Sequence, residues 1–483
     1  MREAFTCEAL ASVLFARRQF EGAAGHFRKS LQIREVQPSS REYGAEAILL
    51  QRIAASLRAL GDVKKALGVA EQSVARIRQD SQAHPILLAK CRMELGQALN
   101  DLLQLDRAET ELSAALAVFE KWRPNSNADL ATCLHGLGKL YHTQGKWEAA
   151  RGAFARSQSL STSALGEASI EARSASYGLA MVDVSAGKLG ASYVRLRSLC
   201  SLGSKSDVRD DVDAATRLLL VSILLEAGVV SDVEDLLGRC LPYRRGQVKL
   251  AHGRRLALEG KWDAAQEAYR EAHKAQGLSM QYRGHLRLLQ AELSLLRGQI
   301  VAARESAVVL ASYEPDSGLE RTELGIKARI LLSACSRLEN QPEKAARFAK
   351  EAISEGRLSK NTRVYTRAQA HLSLADALRM AKRWGEAVEE YCQVKELVTG
   401  TGLKMPRLLG PCLAGMAEAE GGRRRHSVAA KLYLEALDAY KGSAPMLQVD
   451  ARKIKRRFAS FLEQTGDACG AKKLRDELAA GEE

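Results

Sequence analysis

One pattern constrains this 483-residue chain more than any other: a string of small, aromatic and alanine positions that returns at a nearly fixed distance. It is clearest at Leu137-Gly138-x-x-Tyr141, followed by Gly145-x-Trp147-x-x-Ala150-x-x-x-Phe154. It returns as Gly253-x-x-Leu256-x-x-x-Gly260-x-Trp262-x-x-Ala265-x-x-x-Tyr269, and again as Ala375-x-x-Leu378 with Trp384-x-x-Ala387-x-x-x-Tyr391. Apolar residues three and four apart draw one stripe along a helix. The glycine then interrupts that helix, and a second stripe begins. The small residues let two backbones approach, and the aromatic fills the space beside the next unit. Each unit therefore predicts an antiparallel helix hairpin that cannot bury its own apolar face and must stack on its neighbours. Length alone would suggest about three globular domains; internal repetition replaces that count.

These residues resemble the tetratricopeptide repeat, and the resemblance runs along the whole chain. The second-helix alanine position falls at Ala23, Ala66, Ala108, Ala150, Ser192, Val233, Ala265, Ala303, Ala345, Ala387, Ala429 and Ala471. Successive differences between these numbers are 43, 42, 42, 42, 41, 32, 38, 42, 42, 42 and 42. The common form of the repeat steps by about 34 residues; the longer step is similar to the kinesin-light-chain style of the family. The resemblance implies an all-α fold: an α-solenoid, a right-handed superhelix of twelve hairpins and about 24 helices. Pro38, Pro85, Pro124, Pro315 and Pro445 fall in the connections between hairpins, where a helix must stop.

The units differ in quality. Asp183 stands where a large apolar residue is usual, and Val233 replaces the alanine. The short step from Val233 to Ala265 contains Pro242. A kink or break is expected near 241–250, dividing the solenoid into an N-terminal arm, 1–241, and a C-terminal arm, 242–483, of about six repeats each. The last unit carries Lys472, Lys473, Arg475, Asp476 and Glu477, the polar outer face that a terminal repeat requires.

Composition narrows the function classes. Charged residues make up 27% and the hydrophobic set 46%, a globular balance. No apolar run approaches the length of a membrane span, and the N-terminal residues do not read as a secretion signal. The nine cysteines are scattered without a CxxC pair, which favours buried thiols in a reducing compartment, the cytoplasm, over disulfides or zinc. Gly-Lys occurs at Gly138-Lys139, Gly145-Lys146, Gly187-Lys188 and Gly260-Lys261, but Leu or Trp follows each, so no phosphate loop forms. HExxH and GxSxG are absent from the sequence. The expectation is a protein that is not an enzyme and uses no cofactor or metal.

In the family, first helices line the concave surface, so the resemblance places a partner groove there. The candidate groove residues are Arg52, Lys90, Gln97, Asn100, His135, Lys139 and His142 in the N-terminal arm. In the C-terminal arm they are Arg254, Lys327, Arg337, Arg379, Lys453, Arg456 and Arg457, with Asp376 among them. His135, Lys139 and His142 share one helix face by spacing, with no carboxylate or thiol at ligand distance along the chain. The Lys, Asn and Arg set with which chaperone-tail-binding members hold a C-terminal carboxylate is incomplete. Gly136, Gly178 and Gly415 stand where kinesin-light-chain units often carry Asn, so cargo function does not transfer.

Two basic runs complete the inventory. Arg423-Arg424-Arg425-His426 falls at a hairpin turn, and Arg452-Lys453-x-Lys455-Arg456-Arg457 lies on the first helix of the last unit. Together with the net charge of +14 they favour an acidic protein or peptide partner. Aromatics do not interleave with these charges, which leaves nucleic acid as a third reading. The second reading is a repeat-type signal- or peptide-sensing regulator, or a fragment of one, controlling transcription or a signalling partner. The first remains a noncatalytic scaffold that binds an extended or helical segment in a concave, partly basic groove, with no membrane contact.

Overall fold

The computed structural model describes residues 2–36, 43–80, 83–122, 127–204, 210–240, 245–274, 280–312, 318–358, 362–441 and 445–479. These residues form 24 α-helices and no strand. By contacts the chain divides into two compact units, unit 1 at Met1–Val182 and unit 2 at Asp183–Glu483.

In unit 1, α1 (Arg2–Ala16) pairs with α2 (Phe20–Glu35), and α3 (Tyr43–Ala59) with α4 (Val63–Ile77). Next, α5 (Pro85–Asp101) pairs with α6 (Leu105–Trp122), and α7 (Asn127–Thr143) with α8 (Trp147–Leu165). The division between the units falls within α9 (Ile170–Ser185).

Unit 2 continues with α10 (Leu189–Ser204), then α11 (Asp211–Ala227) paired with α12 (Val233–Gly238). Further hairpins follow: α13 (Arg245–Leu258) with α14 (Trp262–Lys274), α15 (Met280–Leu296) with α16 (Ile300–Ala311), and α17 (Gly318–Leu338) with α18 (Pro342–Leu358). The last pairs of helices are α19 (Val364–Met380) with α20 (Trp384–Thr399), α21 (Pro406–Gly422) with α22 (His426–Ala439), and α23 (Pro445–Gln464) with α24 (Ala468–Ala479).

The alanine register is reproduced throughout. All twelve positions, Ser192 and Val233 included, are at most 1% exposed. In every second helix but one the position is the fourth residue; in α12, Val233 is the first. One turn along, Phe154 wedges between hairpins. A Cβ added at Gly138 or Gly178 would stand 2.7 or 2.5 Å from its ring, which is why neither position carries a side chain.

The turn is equally regular. At one fixed place ahead of every alanine position the backbone is left-handed: at Arg18, Gly61, Leu103, Gly145, Gly187, Gly228, Gly260, Gly298, Asn340, Lys382, Arg424 and Gly466. The N–H of the next residue then bonds back into the first helix, as from Lys146 to the Tyr141 carbonyl at 2.8 Å and from Lys261 to the Leu256 carbonyl at 2.9 Å. This closure satisfies carbonyls that a helix end leaves orphaned.

The short step is absorbed by one element. α12 has 6 residues, whereas the other second helices have 12 to 19. The arm boundary drawn from sequence at 241–242 lies inside unit 2. Residues 241–244, with Pro242, lie outside the described residues, as do Pro38, Pro124 and Pro315. Pro85 and Pro445 begin α5 and α23, where a missing N–H costs nothing. On α24 the expected polar set is in place. Lys472, Lys473, Asp476 and Glu477 are exposed, and Arg475 reaches over to Glu463 on α23 at 2.6 Å.

Within each unit the first helices also touch one another, α3 with α5 and α5 with α7, and each odd-numbered helix from α11 to α23 with the next. They form the tighter inner layer, and the second helices pack outside them. Unit 2 has one further feature. The Arg363 Nη1, just ahead of α19, donates to Glu226 Oε1 at 2.9 Å and Ser222 Oγ at 3.2 Å, both on α11. The Arg407 Nη1 on α21 donates to the Leu225 carbonyl at 3.2 Å, and the Gly190 N–H donates to the Thr401 carbonyl at 2.9 Å. Unit 2 therefore folds back on itself, joining segments that are remote in sequence.

Candidate partner-binding face

The repeat register carries polar residues to the inner layer of unit 1 at equivalent places in successive hairpins. Gln97 and Lys139 are one such pair, and Asn100 and His142 another. The centre of this face is Arg58, which sequence reading passed over although it stands one repeat before Asn100. It donates to Glu94 at 2.8 Å and to Gln97 at 2.5 Å, and stands 3.5 Å from Asp101. Lys139 approaches the same Asp101 at 3.8 Å, and Lys90 pairs with Asp129 at 3.4 Å. Arg52 is exposed, donates to the Ser12 hydroxyl at 2.8 Å and lies over the Phe27 ring.

Two residues expected on this face are turned into the packing. Asn100 is 7% exposed, and its Oδ1 has no hydrogen-bond partner among the described residues. His135 packs edge-on against Phe154, with centroids 5.3 Å apart, and its Nδ1 is buried without a partner there. Burial, helped by the charges of Lys139 and Arg58, pushes the His135 imidazole down to about 4. Burial also lowers His142, against a backbone hydrogen bond with Met181.

In unit 2 five of the predicted cations, Lys327, Arg337, Arg379, Lys453 and Arg457, each meet a carboxylate. Arg337 pairs with Asp376, Arg379 with Glu418, and Arg457 with the other oxygen of Glu418 at 3.1 Å. The Tyr391 hydroxyl, on the residue that plays the Phe154 part in its own hairpin, donates to Asp376 at 2.7 Å and accepts from Arg379 at 3.2 Å. Together these residues make a ladder across α17, α19, α21 and α23. Lys327 pairs with Glu323 at 2.9 Å, and Lys453 with Asp450 at 3.2 Å. Burial works against the Glu323 carboxylate, yet Lys327 and Arg363 outweigh it and hold it at about 2. Arg456 is exposed, and Arg254 is half-buried on α13. Lys327, Arg337 and Asp376, with Arg407, Tyr365 and Gln369, line a recess of about 200 Å³ on the inner layer.

The ladder's carboxylates were legible in principle, since Glu418 stands one repeat after Asp376. The basic runs are likewise engaged: Arg423 and Arg425 with Glu420, and Lys455 with Glu477. Seven cysteines are buried, while Cys392 and Cys469 are exposed; none is in a disulfide. Burial pushes the Cys91 thiol up to about 11 and those of Cys133 and Cys412 to about 12, which suppresses thiolate chemistry. Among the described residues no group of three His, Cys, Asp or Glu could hold a metal, and no helix is long and apolar enough to cross a membrane.

Helix hairpins in one register, with a left-handed turn and a buried small residue in each, define a repeat family, and residues 88–163 match the tetratricopeptide repeat. Residues 88–163 belong to the tetratricopeptide repeat family. No curated protein sequence matches it. Solved structures similar to this chain include one from the Cut9–Hcn1 hetero-tetramer of APC/C, at 12% identity over 99% of this chain and 94% of that one, with a TM-score of 0.43. The apo form of RapI is similar at 13% identity over 57% and 97%, with a TM-score of 0.40. BtubC from P. vanneervenii is similar at 16% identity over 55% and 93%, with a TM-score of 0.34. Tetratricopeptide repeat folds serve in general as scaffolds for protein–protein interaction.

Proposed function

We propose that this tetratricopeptide repeat chain is a noncatalytic scaffold that holds an acidic segment, extended or helical, of a protein partner on the inner layer of unit 1. The observation that carries the reading is the state of the cations there. Arg52 on α3, Lys90 on α5 and Lys139 on α7 come from three consecutive first helices. Among the described residues Arg52 is tied to a hydroxyl and no carboxylate, and Lys139 reaches its carboxylate only at 3.8 Å. Such cations release their partners at little cost. In unit 2, by contrast, Arg337, Arg379 and Arg457 are engaged with Asp376 and Glu418. A partner there must displace bonds that the ladder already makes.

The test is capture of partners from the native host with the wild-type chain and with the double variant Lys90→Glu, Lys139→Glu, identified by mass spectrometry. The reading expects a specific partner with an acidic segment that the variant loses. Retention of every partner by the variant would move the site off unit 1.

A further inference from the structure

One position of the repeat carries a cation in several hairpins, and comparing those hairpins exposes an exception. At a constant distance ahead of the alanine position stand Arg92, Arg217, Lys249, Arg287, Arg329, His371 and Lys455. All but one of them find a carboxylate within their own hairpin. Arg217 takes Asp213 on its own helix at 2.9 Å. The others reach across to the second helix: Arg92 lies 3.5 Å from Glu111, Lys249 2.7 Å from Glu271, Arg329 2.9 Å from Glu355, His371 2.6 Å from Glu390 and Lys455 3.0 Å from Glu477. The carboxylates recur at fixed places. Glu111 and Glu390 occupy one equivalent place in the repeat, and Glu271 and Glu477 occupy another. In the α15–α16 hairpin those two places hold Ser306 and Val309. Arg287 has lost the internal counter-ion that the repeat supplies elsewhere.

A second cation increases the imbalance. Arg283 lies one turn earlier on α15, at the spacing where like charges repel. Arg283, Arg287, Gln290 and Leu286, with His273 from α14, line a cavity of about 240 Å³. Among the described residues no carboxylate lines it, and neither arginine makes a hydrogen bond or an ion pair.

We propose that this cavity in unit 2 is a binding site for a phosphoryl group, held by Arg283 and Arg287 with His273 and Gln290 as further hydrogen-bonding groups. Two guanidinium groups call for a dianion: a phosphoryl group carries close to two charges and three acceptor oxygens, and arginine engages it bidentately. A single carboxylate would neutralise one arginine and leave the other. The site uses none of the unit 1 residues named above and stands or falls independently of the function proposed there.

The probe is inorganic phosphate added to the full chain at constant ionic strength, followed by ³¹P line broadening. A phosphoserine tripeptide and its unphosphorylated twin are run beside it. The wild type is expected to give saturable broadening that chloride does not reproduce. Arg287→Gln and Arg283→Gln should each weaken it at least tenfold. Val309→Glu should do the same without removing any cavity residue, because it restores the carboxylate place used by Glu271 and Glu477; its thermal melt should be no lower than that of the wild type. Tighter binding of the phosphoserine peptide assigns the group to a modified partner segment, and tighter binding of inorganic phosphate assigns it to the free anion. Absence of saturable binding by either probe, or full retention in both Arg287→Gln and Val309→Glu, overturns the proposal.

Discussion

Units 1 and 2 are written in one register and held together differently. The polar contacts of unit 1 join adjacent hairpins, as in Arg52 to Ser12, Arg58 to Glu94 and Lys90 to Asp129. That is the quasi-one-dimensional bonding expected of a repeat array. Unit 2 has the same kind of bond in its Arg337–Asp376–Arg379–Glu418–Arg457 ladder. It adds the clasp of Arg363 and Arg407 on α11. A stack gains stability per hairpin, whereas a clasp makes distant hairpins depend on one another. The ladder also engages cations of the kind that unit 1 leaves loosely held, so one array has become more self-contained and the other more available.

The contrast can be attacked most strongly at the clasp. Glu226 is 3% exposed, so Arg363→Ala strands a buried carboxylate and should cost unit 2 about 3 kcal/mol. Amide hydrogen exchange should quicken in both α11 and α19; quickening in α19 alone would reduce the clasp to a surface contact. The next effect is in unit 1. His135 is held at about 4 against an ordinary 6.5, so the folded state resists a proton that the unfolded chain accepts. Its contribution is complete above pH 6.5 and is lost as the pH falls toward 4, up to about 3 kcal/mol. His135→Leu should flatten the pH dependence of melting in that window, and an unchanged slope would place the imidazole in water. For unit 2 the corresponding loss is expected lower, between pH 4.5 and about 2, as Glu323 protonates. The smallest effect should be common to both units. Leu103 and Lys382 hold left-handed turns at φ 60°. Leu103→Gly and Lys382→Gly should each raise stability by about 1 kcal/mol. Unequal gains in thermal melting would mean that the turn, too, feels its unit.

Legibility in the sequence followed the range of the interaction. The alanine positions were readable because burial at a hairpin seam demands a small residue at a constant step; even Ser192 and Val233 are fully buried there. The turn was half hidden, since Arg18, Leu103, Asn340, Lys382 and Arg424 adopt a conformation that glycine elsewhere announces. His135 and Lys139 share a spacing but not a fate, because the width of the open strip depends on how Phe154 sits between hairpins. The candidate cations lie on first helices, as their register implies, but carboxylate partners such as Asp376 and Glu418 belong to the next hairpin's register. The clasp left no periodic trace at all, since Glu226 and Arg363 answer to each other across several intervening hairpins.

The clasp also makes unit 2 a counting device. Three hairpins, α13 to α18, lie between Glu226 and Arg363. Outside α10 to α21 a duplication or deletion of one repeat module keeps every turn and alanine in phase and breaks none of the bonds by which unit 2 folds back on itself. Within α13 to α18 it breaks the clasp, because one module more or fewer carries Arg363 away from α11. In such a lineage the number of modules would drift freely outside α10 to α21 and stay at three between Glu226 and Arg363.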